Sequence, residues 1–230
     1  MARSDKDHLL IAKENPSSSI SEAYKTLRTN IRFSAVGRDV KVLLVTSAGP
    51  EEGRTTTAAN LAVTYAQEGK KVLLIDGDLR RPAIHQIFNL PGKQGLSDLL
   101  VDERNALGVI SKSDVKGLSI LPAGHVPPNP SELLGSERMD TILQELRDSY
   151  EVIIIDSPPA LSVTDAQIWG AMSDGVVLVI HYGKVPMEDI QTVKGSMEHV
   201  QAKILGVVLN QSAKSKKDSY YKNYYGRNSG

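Results

Sequence analysis

No cysteine occurs in this sequence, which removes disulfides, thiolate metal sites and cysteine nucleophiles from consideration. Apolar aromatics are sparse, with 1 Trp and 2 Phe among 230 residues, whereas tyrosine appears 8 times. There is no excess of either charge: 27 Lys and Arg stand against 27 Asp and Glu. Whole-molecule electrostatics therefore give no case for nucleic acid or an anionic membrane surface as a partner. Long hydrophobic runs are also missing, none approaching the roughly 20 residues that span a bilayer. The first residues, MARSDKDHLLIAKENPSSS, lack the apolar centre of a signal peptide. The expectation is a cytoplasmic protein that reaches a membrane only through a partner, and the lack of cysteine fits a reducing compartment.

What is present is a set of short apolar runs: Val42–Val45, Val72–Ile75, Val152–Ile155, Val176–Ile180 and Ile204–Leu209, with Leu118–Leu121 as a weaker sixth. Each is continuously apolar rather than alternating, which predicts strands covered on both faces. Helical patterns lie between them at Thr55–Glu68, Pro130–Ser149, Thr164–Ser173 and Met187–Val200. Strand alternating with helix predicts an α/β fold, a doubly wound and mostly parallel sheet. Before the first strand, a helix is predicted near 19–35, capped by Ser19 or Ser21, with Leu27 and Ile31 as its apolar stripe. The chain divides into a folded unit over 1–212 and a polar tail over 213–230, AKSKKDSYYKNYYGRNSG, expected to be flexible. That tail holds four of the tyrosines, Tyr220, Tyr221, Tyr224 and Tyr225.

The first strand runs into Thr46-Ser47-Ala48-Gly49-Pro50-Glu51-Glu52-Gly53-Arg54-Thr55-Thr56 and then a helix. Strand, glycine-bearing turn and a helix opening on hydroxyl residues form the layout of a phosphate cradle. Inward backbone N–H groups and the helix dipole favour an anion there, and a hydroxyl can ligate Mg²⁺. In the pattern G-x-x-x-x-G-K-[ST], Ala48 takes the first glycine position, Gly53 the second, Arg54 the lysine and Thr55 the hydroxyl. Two further strand ends carry acids: Asp76-Gly77-Asp78 after Val72–Ile75, and Asp156-Ser157-Pro158-Pro159 after Val152–Ile155. Ligands of open parallel sheets bind beyond the carboxyl ends of the strands. Carboxylates gathered beside a phosphate cradle imply a hard cation between them. Taken separately, each aspartate also fits an ordinary cap or turn.

Together these residues resemble the bacterial protein-tyrosine kinases (BY-kinases) of capsule and exopolysaccharide systems, P-loop proteins with Walker A, A′ and B motifs. The phosphate loop is similar to Walker A, Asp76-Gly77-Asp78-Leu79-Arg80-Arg81-Pro82 to A′, and Ile153-Ile154-Ile155-Asp156-Ser157-Pro158-Pro159 to B. The tyrosine tail resembles the family's autophosphorylation cluster, and Glu22 to Arg28 its E-x-x-R-x-x-R oligomerisation motif. The resemblance implies a non-specific protein-tyrosine kinase using ATP and Mg²⁺. Nucleotide would lie on Pro50, Glu51, Glu52, Gly53, Arg54, Thr55 and Thr56, with Asn210 near the adenine. It further implies Mg²⁺ held by Thr55, Asp76 and Asp156, and Asp78 as the base, with Arg54 and Asp76 completing the catalytic set. Tyr220, Tyr221, Tyr224 and Tyr225 would be modified in trans within a homo-oligomeric ring built through Glu22, Lys25 and Arg28. A membrane-bound activator of the polysaccharide co-polymerase type, a cognate tyrosine phosphatase and other tyrosine-containing substrates complete the implied partners.

Two departures carry physical consequences. Arg54 stands where the family has lysine, a planar fork in place of a compact point charge. Lys25 stands at the middle arginine of the oligomerisation motif and cannot pair bidentately with a carboxylate. Two other readings stay open. One is a partition or positioning ATPase, whose signature lysine would fall at Gly49. The other is a nucleotide-binding pseudo-kinase or scaffold, impaired by Arg54.

Overall fold

The computed structural model describes residues 9–35, 37, 39–102 and 108–211. The tail tyrosines Tyr220, Tyr221, Tyr224 and Tyr225 lie outside the described residues. Its centre is a seven-stranded sheet built from β1 (Val42–Ser47), β2 (Val72–Asp76), β3 (Ser111–Lys112), β4 (Leu118–Leu121), β5 (Val152–Asp156), β6 (Gly175–His181) and β7 (Ile204–Asn210). The order across the sheet is β3-β4-β2-β5-β1-β6-β7, and only the β3–β4 pairing is antiparallel.

The continuous apolar runs have a direct structural reason. Alternate residues enter two separate cores, one on each face of the sheet. Val42, Leu44, Leu73, Ile75, Ile153 and Ile155 face one core, and Leu43, Val45, Val72, Leu74, Val152 and Ile154 face the other. The first core is closed by helices that include α7 (Glu137–Ser149), whose Met139, Ile142, Leu143 and Leu146 make one stripe at helical spacing. The second is closed by α3 (Arg54–Gln67), on which α1 (Ile11–Glu14) and α2 (Ser19–Ser34) pack in turn. This double cover explains why α3 is buried nearly all round. Its Asn60, fully buried, accepts from the Ala12 amide at 2.9 Å and donates to the Leu9 and Thr56 carbonyls at 2.6 and 2.8 Å.

Two predicted features are corrected. Ser18, not Ser19 or Ser21, caps α2 by accepting from the Ser21 amide at 3.1 Å. Ser21 is buried and donates instead to the Ile11 and Asn15 carbonyls, fastening α1. The helix predicted over 130–149 is two helices, α6 (Pro130–Leu134) and α7. Gly135 ends the first, and the Ser136 hydroxyl caps the second through the Met139 amide. Short elements without a periodic signal were not predicted: α1, β3, α4 (Ile84–Ile87) and α5 (Leu96–Val101). The remaining helices, α8 (Asp165–Met172) and α9 (Met187–His199), match their predicted spans to within a residue or so. Among the described residues no helix is long and apolar enough to cross a membrane.

Candidate functional site

The carboxyl ends of β1, β2 and β5 converge, and the three motifs leave the sheet there. In the loop after β1, Gly53 takes a left-handed backbone conformation (φ 89°) immediately before α3. A Cβ at Gly53 would sit 2.0 Å from the side-chain nitrogen of Asn210, so the position needs glycine for both reasons. Asn210, ending β7, donates through that nitrogen to the Glu52 carbonyl at 2.9 Å. Its role here is to tie the loop down. Glu52 folds its carboxylate inward, where one oxygen accepts from the Gly49 amide and the other is buried without a partner. Burial raises its pKa, and the amides of Gly49, His181 and Ala48 oppose that rise. Beside the loop lies a cleft of about 620 Å³, bounded by Gly49–Glu52, His181, Lys184–Pro186 and Asp189.

Arg54 opens α3 and points at the acids. Its Nη2 donates to Asp78 Oδ2 at 2.8 Å and its Nε to the Ser157 carbonyl at 2.6 Å. Asp156 Oδ1 lies 4.0 Å from the same guanidinium. Asp78 Oδ1 accepts the Arg80 and Arg81 amides at 3.2 and 2.9 Å, so this carboxylate is held on both oxygens. The strand β2 ends at Asp76, and Asp78 reaches the site from the turn rather than from a continued strand. Ser157, not singled out from the sequence, contributes a backbone carbonyl, a role that leaves no trace in residue type.

Asp76 and Asp156 face each other in register on adjacent parallel strands. Asp76 Oδ2 accepts the Ala83 and Ile84 amides, both at 3.0 Å. The other oxygen of Asp76, and Oδ1 of Asp156, are buried with no hydrogen-bond partner. Burial pushes Asp76 well above the usual carboxylate range, and the charge of Asp156 adds to the rise. Burial likewise raises Asp156 to about 7, although Arg54 and the Thr55 hydroxyl hold it down. Two orphaned buried carboxylate oxygens beside a hydroxyl suit a hard divalent cation. Among the described residues no group of three His, Cys, Asp or Glu side chains encloses a metal. Mg²⁺ binds through one or two carboxylates, with phosphate and water filling its remaining positions.

These shifts make a stability prediction. Between about pH 4 and pH 7, folded Asp156 keeps a proton that the unfolded chain has released. Stability of the nucleotide-free protein therefore falls as pH rises through that window. Asp156→Asn removes the penalty. Urea melts are expected to show a gain over the parent of about 1–2 kcal/mol at pH 5, growing to about 4 kcal/mol at pH 8. An equal gain at both values would refute the assignment.

In the oligomerisation segment Glu22 and Lys25 stay partly exposed, whereas Arg28 turns inward. Glu22 and Lys25 pair with each other at 2.7 Å on α2. Arg28 donates to the Thr64 carbonyl and lies 3.4 Å from Glu68, at the end of α3.

A mostly parallel sheet with a glycine-ended loop, a helix opening on Arg54-Thr55 and acids at two neighbouring strand ends defines an ATP-binding P-loop domain. The AAA domain family matches residues 41–211. The tyrosine-protein kinase YwqD of Bacillus subtilis is 45% identical over 217 residues, covering 94% of this chain and 91% of that protein. The putative tyrosine-protein kinase CapB of Staphylococcus aureus is 42% identical, covering 94% and 95%. The crystal structure of the chimerical protein CapA2B2 superposes with a TM-score of 0.86 at 41% identity, covering 90% and 91%. The chain belongs to the bacterial protein-tyrosine kinase family, ATP-dependent enzymes that phosphorylate tyrosine.

Proposed function

We propose that this kinase transfers the γ-phosphate of ATP to tyrosines of its own tail, Tyr220, Tyr221, Tyr224 and Tyr225, presented by a neighbouring copy. The observation that carries the reading is the 2.8 Å contact between Arg54, the cation of the phosphate loop, and Asp78. It sets a carboxylate beside the residue that meets the terminal phosphates, where a tyrosine hydroxyl must lose its proton. The backbone amides of residues 51–56 receive the phosphates at the start of α3, and Asn210 holds the loop in shape. Thr55, Asp76 and Asp156 would hold Mg²⁺. When bound, that ion neutralises charge on the transferring phosphate. Arg54 moves from carboxylate to phosphate, exchanging one charge-assisted contact for another and freeing Asp78 to accept the proton. The tail's Lys214, Lys216, Lys217, Lys222 and Arg227 outnumber its single acid, Asp218, and suit an acidic site.

The same reading extends to the cell. The protein works at the inner face of the membrane through a membrane-bound co-polymerase partner, in capsule or exopolysaccharide synthesis. It cycles as a ring through Glu22, Lys25 and Arg28 and is reset by a tyrosine phosphatase. Phosphopeptide mass spectrometry after incubation with Mg²⁺ and ATP tests the central step. Phosphate on the four tail tyrosines of the parent, absent from Asp78→Ala, is the expected result. An unmodified tail with ATP still bound would replace this reading with a nucleotide-sensing pseudo-kinase, for which the engagement of Arg54 by Asp78 and Ser157 supplies a reason.

A further inference from the structure

The turn that carries Asp78 is gripped on both sides by one helix, α8, which belongs to none of the three motifs. Before Asp78, the Gly77 carbonyl accepts from Trp169 Nε1 at 3.1 Å, and the indole has no exposed surface. Gly77 is packed so closely that a Cβ there would lie 2.8 Å from Trp169 Nε1 and from Ile155, and 2.9 Å from the Asp156 carbonyl. After Asp78, the Arg80 guanidinium meets Asp165 with two contacts, Nε to Oδ2 at 2.9 Å and Nη2 to Oδ1 at 3.0 Å. The Ser131 hydroxyl, at the start of α6, donates to Asp165 Oδ1 at 2.8 Å and accepts from Arg80 at 2.9 Å. Asp165 and Trp169 are four residues apart and share one face of α8.

Asp165 has no exposed surface, and its carboxylate is spent on Arg80 and Ser131 rather than on the amides that open its own helix. An ion pair with its carboxylate buried and its guanidinium partly exposed adds little to stability, because desolvation of the acid offsets the attraction. It is a good source of fixed geometry: the bidentate contact fixes direction as well as distance. Arg80 also donates its backbone amide to Asp78 Oδ1, so orienting the Arg80 side chain orients the donor that holds the carboxylate.

We propose that Asp165, Trp169 and Ser131 form a brace, acting through Arg80 and Gly77, that fixes Asp78 for proton abstraction. They are positioning residues for phosphoryl transfer. The proposal rests on the reading of Asp78 as the base. Small displacements of a reacting group cost as much as 10²-fold in rate, which sets the scale expected.

The test uses the full chain with Mg²⁺, ATP and a synthetic peptide of residues 213–230 as substrate. Asp165→Asn and Trp169→Phe are expected to lower kcat by about 10–100-fold while the dissociation constant for ATP stays within about twofold. Arg80→Lys, which keeps the charge and loses the second contact, should recover most of that, falling about 3–10-fold. In an Asp78→Asn background Asp165→Asn should add less than about a twofold further loss, since both act at one point. Undiminished kcat in the brace variants beside an inactive Asp78→Asn overturns the brace. So does a loss carried by ATP affinity, or one that multiplies in the Asp78→Asn background. Full turnover in Asp78→Asn instead removes the base reading, and the brace loses its purpose with it. If Asp165→Asn does not fold, Trp169→Phe and Arg80→Lys decide the matter, the first keeping an aromatic ring without the N–H donor and the second keeping the charge.

Discussion

Replacing Asp78 by Asn is expected to lower the rate of tyrosine phosphorylation by about 10²–10⁴-fold while ATP still binds. Asparagine keeps the shape of the side chain and an oxygen for the Arg80 and Arg81 amides, so the turn retains its two anchoring hydrogen bonds. It cannot accept the phenolic proton at the position next to Arg54. In the proposed site, nucleotide affinity rests on the loop amides and on Asp76 and Asp156, which the change leaves untouched. Initial rates of phosphotyrosine formation, with titration of a fluorescent nucleotide, separate the two quantities. A rate within tenfold of the parent would mean that the proton leaves by another route.

The second large effect is expected at Arg54. Arg54→Met removes the cation that meets Asp78 at 2.8 Å and faces Asp156 at 4.0 Å. Repulsion among the acids then goes unopposed, and the phosphates lose a charged donor. Turnover should fall about 10²–10³-fold, the usual scale for deleting a donor that stabilises transition-state charge. Arg54→Lys restores a cation but cannot span Asp78 and the Ser157 carbonyl together. Its turnover should lie within about tenfold of the parent, with the excess in its favour if the fork restrains Asp78. Steady-state kinetics of the two variants side by side are sufficient. Equal, severe losses in both would show that shape rather than charge governs the position.

The sheet was legible because its central strands are covered twice: a residue such as Leu43 or Leu44 is buried whichever way it points, and the run becomes continuously apolar. The acids were legible because they follow those runs directly, so that locating a strand also located Asp76 and Asp156. Helix α7 was legible as a stripe, but its boundary with α6 was not. Gly135 and Ser136 interrupt a pattern that stays in phase by hydrophobicity alone. The brace could not be read at all. Asp165 and Trp169 have helical spacing but no partner in the local sequence; Gly77 and Arg80 lie 92 and 85 residues away. The inward turn of Arg28 was equally hidden. A motif gives residue types, whereas the Thr64 carbonyl it meets belongs to the packing of α2 on α3. Asn210 was placed near the base of the nucleotide by resemblance, and its side chain is committed to the loop itself.

The indole of Trp169 ends on the carbonyl between the two acids of the turn, and this is the single tryptophan of the sequence. Ultraviolet emission of the protein therefore arises chiefly from one spot, in contact with the turn whose Asp78 meets Arg54. The fold carries its own optical gauge: without any attached dye, the colour and intensity of that emission follow the state of the turn around Asp78.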